Sequence, residues 1–249
     1  AISKSTEANQ WMVFSVDLVS AAASQRELLR AVHRSPLELY AASPDLKKAI
    51  TRYKKWLDTA DAEQGAGASP QEAAPAVDVA WVWHLHRLNP EAYRADCLRS
   101  LGRVVQVVCP FAFRDADGGD GEAAEGAREV REVEIGIDIE ECAARQATFL
   151  WQVRWPEYSC TSFLSSAVSR YQQMLELMRE HPRCFIVPTY DIDLMWHAHL
   201  AYPEAYRRDC EEIVGRWVSH DDTVNDRCEG GRLETATMQT RELWEGKFG

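Results

Sequence analysis

Two Trp-His-x-His stretches are the residues of this chain best suited to chemistry. They are WHLH at 83–86 and WHAH at 196–199, so a pair of imidazoles recurs 113 positions further along the chain. Imidazole nitrogens bind zinc, iron and other divalent ions, and they also accept and donate protons near neutral pH. The doubled motif therefore indicates either a metal or acid–base site, or a duplicated structural element.

Acidic residues beside the second motif extend the ligand set. Asp193 and His197 are four positions apart and share one face of a helix, while Asp191 lies two turns before His199. Position 193 corresponds to Ala80 in the first copy, so this carboxylate belongs to the second copy alone. We predict that His197, His199 and Asp193 are the catalytic candidates. The predicted ligands of a divalent ion, zinc or iron, are His84, His86, His197, His199, Asp191 and Asp193.

Helical geometry limits how these histidines can cooperate. Residues two apart on a helix are separated by about 200° around its axis, so His84 and His86 cannot both point at one ion. One histidine from each copy could instead meet on a twofold axis, either His84 with His197 or His86 with His199. The alternative is structural: each ring would bond to a backbone carbonyl or to an aspartate at the start of its helix.

A second candidate is the stretch HDDTVNDR at 220–227, which carries one histidine and three aspartates. The first copy has VVCPFAFRD near the corresponding point, so duplication alone does not account for the motif. Two interpretations stay open. The residues form a capped loop in which Arg227 pairs with Asp226, or they contribute to the site near His197 and His199.

The elements that position these residues are organised as a tandem repeat. Residues 75–97 and 188–210 align without a gap, and twelve of the 23 positions are identical. Weaker matches upstream have apolar residues at helical spacing. We predict an all-α fold, with two duplicated units of about three to four helices each, packed with pseudo-twofold symmetry into one compact domain. The predicted segments are an N-terminal stretch (1–12), unit one (13–108), an acidic Gly-rich linker (109–133), unit two (134–219) and a C-terminal extension with the HDDxxxDR motif (220–249).

Local signals predict where several elements begin. Pro44 and Pro90 are expected at the first position of a helix, where the missing N–H costs nothing. Asp78 and Asp191 are expected as N-caps of the two histidine-bearing helices. The alternating stretch 133–137 is compatible with one short strand.

Composition excludes several classes of function. A net charge of −11 repels phosphate backbones, and no block of basic residues interleaved with aromatics occurs, so we expect no nucleic-acid binding by this domain. No apolar run reaches the ~18 residues of a membrane span, and no signal peptide is recognisable. Seven cysteines without a Cys-x-x-Cys pair favour reduced thiols and a cytoplasmic location. The expected partner is a small-molecule substrate or another protein.

Several stretches resemble the plant glycine-rich domain-containing protein family, in its N-terminal domain of unknown function. They are VDLVSAAASQRELLRAV from residue 16, DIDLMWHAHLAYPEAYRRDC from residue 191 and the HDDTVNDR motif. The resemblance covers nearly the whole chain from about residue 13, and it implies a role in plant stress and hormone responses and in development. Roles that depend on the glycine-rich tail, including RNA binding, do not carry over, because this chain has only 13 glycines.

The resemblance implies no agreed enzymatic activity, so two functions stay open. The first is a metal-binding helical domain, or a metalloenzyme acting on a small molecule, with its site between the repeats. The second is a non-catalytic regulatory or scaffold module in plant stress or hormone signalling.

Overall fold

In the part of the chain that the structure describes, the α-helices form two matching sets of four, followed by one more. The computed structural model describes residues 14–65, 74–115, 131–221, 223 and 231–249, with the backbone alone at 61–65. Within these residues the α-helices are α1 Leu18–Arg34, α2 Pro44–Gly65, α3 Val77–Arg87, α4 Pro90–Leu101, α5 Ile139–Gln152, α6 Thr161–Glu180, α7 Tyr190–Leu200, α8 Pro203–Val214 and α9 Arg232–Phe248. The all-α class and the tandem duplication are confirmed. None of these helices is both long and apolar enough to cross a bilayer.

Some of the regions named from the sequence lie outside the described residues. These are the N-terminal stretch 1–12, positions 116–130 of the acidic linker, and most of the HDDTVNDR motif beyond Asp221.

Side-chain caps fix the start of the first helix in each unit. Asp17 accepts a hydrogen bond from the backbone N–H of Ser20 at 3.1 Å, and Asp138 accepts one from Glu141 at 3.0 Å. These caps satisfy N–H groups that have no partner within the helix. Pro44 and Pro90 open α2 and α4 as predicted.

The prediction that Asp78 and Asp191 are N-caps is wrong. Helices α3 and α7 each begin one residue before the aspartate, so the carboxylates lie in the first turn. Each is held by an arginine of the preceding helix: Arg52 is 2.7 Å from Asp78, and Arg170 is 2.6 Å from Asp191. The arginine and the positive end of the helix dipole both stabilise the carboxylate there.

The stretch 133–137 is not a strand. Its backbone makes separate bonds to two helices: Val133 N–H donates to the carbonyl of Lys54 at 3.0 Å, and Gly136 N–H donates to Asp96 Oδ2 at 2.6 Å. Among the described residues no extended segment pairs with it, and its alternation follows from one side packing on the helices: Val133 is buried and Glu134 is exposed.

The two units are interlocked through their first helices. Helix α1 of unit one packs against α6 and α7 of unit two as well as against α3, and α5 of unit two packs against α3 of unit one. Helices α3 and α7 carry the two WHxH motifs, and the rings of His84 and His197 lie 6.2 Å apart, centroid to centroid. The predicted meeting of the two copies therefore occurs at this pair.

Candidate metal centre

Helix α7 supplies two members of a histidine–carboxylate cluster. Asp193 and His197 are one turn apart, and Asp193 Oδ1 lies 3.3 Å from His197 Nε2. The third member, His220, comes from the segment after α8. Its Nε2 lies 3.1 Å from His197 Nε2 and 3.6 Å from Asp193 Oδ1. Three potential ligand atoms therefore face one point in space.

The hydrogen bond on the far side of the His220 ring fixes its tautomer. Nδ1 of His220 lies 2.8 Å from the carbonyl oxygen of Leu88, just after the end of α3. A carbonyl can only accept, so Nδ1 carries the hydrogen and Nε2 of the neutral ring presents its lone pair to the cluster. This arrangement is typical of metal-ligating histidines, whose second ring nitrogen donates to a carbonyl or carboxylate.

The cluster is largely buried, and the pKa of its carboxylate lies below the usual value. His197 and His220 are buried, and the side chain of Asp193 is 20% exposed. Burial alone would raise the pKa of Asp193, but the nearby imidazoles of His197 and His220 outweigh it and hold that pKa below its usual value. The site therefore combines the negative charge of one carboxylate with two imidazole nitrogens, a ligand set suited to a divalent ion.

A cavity of about 610 Å³ opens beside the cluster, and all three residues line it. Its other walls come from α5, the segment before α7, the segment after α8 and the start of α9. Two buried polar atoms of the lining have no hydrogen-bond partner within the described part of the chain: Oε1 of Gln146 and Nε1 of Trp217. Orphaned buried polar atoms are uncommon in folded proteins and suggest a missing partner such as water or a ligand.

His84 lies at the edge of this arrangement rather than within it. The ring is buried between Trp81, Phe111 and His197, and its Nε2 has no hydrogen-bond partner among the described residues. Burial is the main reason that its pKa falls well below the usual value, with His197 and Arg87 adding to the effect. His84 is therefore a neutral ring at the boundary between the units.

His86 and His199 are held apart from the cluster, each within its own unit. Tyr53 Oη lies 2.9 Å from His86 Nδ1, and Asp96 Oδ2 lies 3.1 Å from His86 Nε2. The equivalent distances around His199 are 3.1 Å to a tyrosine and 3.2 Å to an aspartate. Both nitrogens of each ring are engaged within its own unit, so neither ring offers a lone pair to an ion.

Asp191 also lies outside the cluster. Its carboxylate is held by Arg170 Nε at 2.7 Å and by the hydroxyl of Thr189 at 2.6 Å. Of the six residues predicted as metal ligands, the structure brings Asp193 and His197 together, with His84 next to them.

The third residue of the cluster, His220, was identified from the sequence only as part of the HDDTVNDR motif. Its equivalent in unit one is Val107, just as Ala80 is the equivalent of Asp193. The sequence signal for the cluster is that both positions are polar in the second repeat and apolar in the first. Their common location could not be read from spacing, because His220 reaches the cluster through the path of the chain after α8.

The fold and the cluster define a class: a duplicated all-helical domain that carries, within its described residues, a cluster of two histidines and a carboxylate at its second copy. The chain belongs to the glycine-rich domain-containing protein-like family, whose model matches residues 1–96 and 108–209.

Two curated relatives come from Arabidopsis thaliana. Glycine-rich domain-containing protein 1 is 33% identical over 269 aligned residues, covering 96% of this chain. Glycine-rich domain-containing protein 2 is 32% identical and covers 94% of it. The chain spans about a third of the length of each relative. No solved structure matches it significantly.

Proposed function

We propose that this domain binds a divalent metal ion through Asp193, His197 and His220, and that it is a metal-dependent enzyme acting on a small molecule in the adjoining cavity. The observation that carries the proposal is the convergence of the three ligand atoms at separations of 3.1, 3.3 and 3.6 Å on the wall of a cavity of about 610 Å³. That volume is in the range of small-molecule sites.

The separations suit a tetrahedral ion. Ligand atoms bound to one zinc at about 2.0–2.1 Å lie about 3.3 Å from one another in a tetrahedron. An octahedral ion with similar bond lengths requires about 3.0 Å between neighbouring ligands. Zinc is therefore the favoured ion. Iron(II) in a two-His-one-carboxylate site is the other metal that the donor set would accept.

Each residue has a separate part in such a centre. Asp193 supplies the negative charge, and His197 supplies a nitrogen from the same helical face. His220 contributes a nitrogen whose direction is set by the bond from its Nδ1–H to Leu88. A catalytic zinc with three protein ligands keeps its fourth position for water or substrate, lowers the pKa of that water and polarises a bound carbonyl.

The polar atoms of the cavity would orient the substrate. Oε1 of Gln146 accepts a hydrogen bond and Nε1 of Trp217 donates one, and both are buried in the lining. A substrate with a donor and an acceptor at matching positions would satisfy both. The site is thus better suited to a polar molecule than to a purely apolar one.

Metal content is the first test. We expect purified protein to hold about one equivalent of zinc or iron by elemental analysis, and we expect His197→Ala and His220→Ala to remove it while helical circular dichroism is retained. His33→Ala is the matched control, because this histidine lies exposed on α1 and should leave the metal content unchanged. Folded wild-type protein that takes up no metal after dialysis against zinc or iron(II) would overturn the proposal.

Cobalt substitution tests the open position. A tetrahedral Co(II) centre should show visible absorption that shifts when acetohydroxamate is added, because this probe would enter the fourth position from the cavity. A cobalt spectrum unchanged by the probe would mean a closed, structural site, and the enzymatic half of the proposal would fail. In that case the chain would be a metal-stabilised, non-catalytic module.

A further inference from the structure

A second concavity, here called the basic groove, lies between α1 and α5, away from the histidine cluster. It has a volume of about 470 Å³, and its apolar lining includes Leu29 of α1 and Ala147, Leu150 and Val153 of or next to α5. None of the residues of the histidine cluster lines it. The groove is therefore a separate feature of the fold.

Basic side chains surround this apolar lining. The arginines Arg26, Arg30, Arg34 and Arg154 contribute to the groove together with the imidazole of His33, although the whole chain carries a net charge of −11. A cluster of this kind in an acidic protein creates a local positive field, which attracts anions and is sensitive to salt.

The arginines differ in whether they already have hydrogen-bond or ion-pair partners within the protein. Arg26 is used structurally, since it donates to the carbonyls of Val153 and Trp155. Arg30 is paired with Glu27 at 2.6 Å. Arg34, by contrast, is exposed and has no carboxylate within ion-pair distance in the described portion of the chain.

Arg154 is also available, and it is held in place. Its guanidinium lies over the rings of Trp151 and Trp155, at 3.2 and 4.1 Å from their centroids, and it bonds to the carbonyl of Trp151. No carboxylate pairs with it among the described residues. Trp151 itself is 61% exposed, so a large apolar ring stands beside an uncompensated charge at the groove.

A buried hydroxyl completes the site. Tyr40 lines the groove, and its Oη is shielded from water without a hydrogen-bond partner in the described structure. Burial raises the pKa of Tyr40 well above its usual value, so the hydroxyl keeps its hydrogen and is a donor. A buried donor without an acceptor is costly, and an oxygen of a bound molecule would satisfy it.

We propose that the basic groove binds a small soluble amphiphile that carries a single carboxylate on an apolar body. The apolar body would lie on Leu29, Leu150 and Val153. The carboxylate would lie near Arg34 and Arg154, within reach of the Tyr40 hydroxyl. The proposed ligand is a free small molecule, and its recognition is independent of the metal centre proposed above.

The arrangement favours this class over its alternatives. A neutral apolar ligand would leave the uncompensated cations unexplained, and a cationic amphiphile would be repelled by them. A multiply charged, purely polar anion would leave the apolar lining exposed to water, which forfeits the burial that makes most small-molecule sites favourable.

Three probes that share a ten-carbon chain and differ in their head group test the proposal by titration calorimetry below their micellar concentrations. We expect decanoate to bind one site per chain, decanol to bind roughly tenfold or more weakly, and decyltrimethylammonium to bind weakest. Higher salt should weaken decanoate and leave decanol unchanged. Equal affinities for all three probes, or no binding of decanoate, would overturn the proposal.

Variants locate the binding. Arg34→Gln and Tyr40→Phe should each weaken decanoate by roughly threefold to tenfold, as expected for one ion pair or one hydrogen bond, and should leave decanol almost unchanged. Ala147→Trp should fill the groove and weaken both probes. The matched control Arg241→Gln removes an exposed charge on α9, outside the groove, and should change neither.

Lipid membranes are the other source of acyl carboxylates and other anions. Vesicles with anionic headgroups that bind the protein in an Arg34-dependent manner, while free decanoate does not, would replace the proposed small molecule with a lipid surface. Decanoate that binds equally to wild type, Arg34→Gln and Ala147→Trp would show that it binds elsewhere, and the groove would be rejected as its site.

Discussion

The backbone N–H of Ser15 donates to Oδ2 of Asp209 at 2.7 Å, a bond that joins the segment before α1 to α8 of the other unit. The duplicated counterpart is the bond from Gly136 N–H to Asp96 Oδ2 at 2.6 Å. In each unit, a carboxylate of the fourth helix thus accepts a hydrogen bond from the backbone just before the first helix of the other unit. The same two carboxylates accept from the imidazoles of His199 and His86, so the interlock of the units and the placement of these rings depend on one another.

Removing one of these carboxylates should lower the free energy of unfolding by more than a surface substitution does. Asp209→Ala would leave the Ser15 N–H and the His199 ring without their acceptor inside the protein. We expect the free energy of unfolding to fall by about 2–4 kcal/mol in urea titrations, as for other buried charged hydrogen-bond networks. The control is Glu211→Ala on the same helix, which removes an exposed carboxylate paired with Arg207 and should cost about 0.5 kcal/mol or less. Equal losses in the two variants would contradict the interlock.

Stability should fall as the solution is acidified below neutrality, with His86 as one cause. Burial lowers the pKa of His86 despite the Asp96 carboxylate at 3.1 Å, so the folded protein holds the ring neutral. The unfolded chain, with a pKa of about 6.5, binds a proton first as the pH falls. The free energy of unfolding should therefore decrease from about pH 6.5 down to the depressed pKa of the folded state.

Asp96 contributes a second decrease in the free energy of unfolding, at lower pH. Its carboxyl is desolvated, which would raise its pKa, but the bonds from His86 and Gly136 N–H outweigh this and lower it. Its contribution is present above the pKa of the unfolded chain and disappears as the pH falls through the lower folded value. His86→Gln should reduce the slope of the pH dependence between 6.5 and 5 without abolishing it, because the buried rings of His84 and His199 also have lowered pKa values. The exposed control His33→Gln should leave the wild-type slope, and an unchanged slope in His86→Gln would assign the acid sensitivity to other groups.

Much of the fold follows from local sequence rules. The gapless alignment of 75–97 with 188–210 established the duplication, and the prolines at 44 and 90 marked helix starts because a helix leaves its first N–H groups unpaired. The angle of about 200° between residues two apart on a helix correctly separated His84 from His86.

The partners across the core could not be predicted in this way. Tyr53 and Asp96, which engage both nitrogens of His86, lie 33 and 10 positions away and on different helices. Similarly, Asp78 and Asp191 matched the N-cap pattern, but arginines on neighbouring helices bind them instead. Spacing defines the face of a helix, whereas the residues that meet that face depend on packing between helices.

Replacing the buried Arg87 should lower the free energy of unfolding strongly. Its guanidinium donates to the carbonyls of Pro110 and Ala201, at 2.9 and 3.1 Å, and stacks on Trp83 at 3.8 Å. Burial lowers its pKa to about 10, still high enough to keep it charged at neutral pH. Arg87→Met should lower the free energy of unfolding by at least about 3 kcal/mol, because several buried carbonyls lose their donor together.

A second arginine provides the matched comparison for Arg87→Met. Arg94 also joins the two units, through a surface pair with Glu204, and both side chains of that pair are 32% exposed. Arg94→Met should therefore cost less than about 1 kcal/mol. Similar losses in the two variants would mean that the carbonyl contacts of Arg87 contribute little.

Zinc should stabilise the folded protein only when Asp193 keeps its charge. An ion that binds the native state stabilises it by about 2.7 kcal/mol when its concentration is 100 times its Kd, so the thermal midpoint should rise with added zinc. Asp193→Asn should abolish most of this shift, because the amide is a weak ligand and the site loses its only close carboxylate among the described residues. Asp191→Asn is the control: it removes a carboxylate two positions away, on the same helix, that is held by Arg170 rather than by the cluster. Its midpoint should be lower without metal but should rise with zinc as in the wild type. If both variants respond to zinc alike, the ion binds elsewhere, since a centre built from Asp193, His197 and His220 requires the two aspartates to differ.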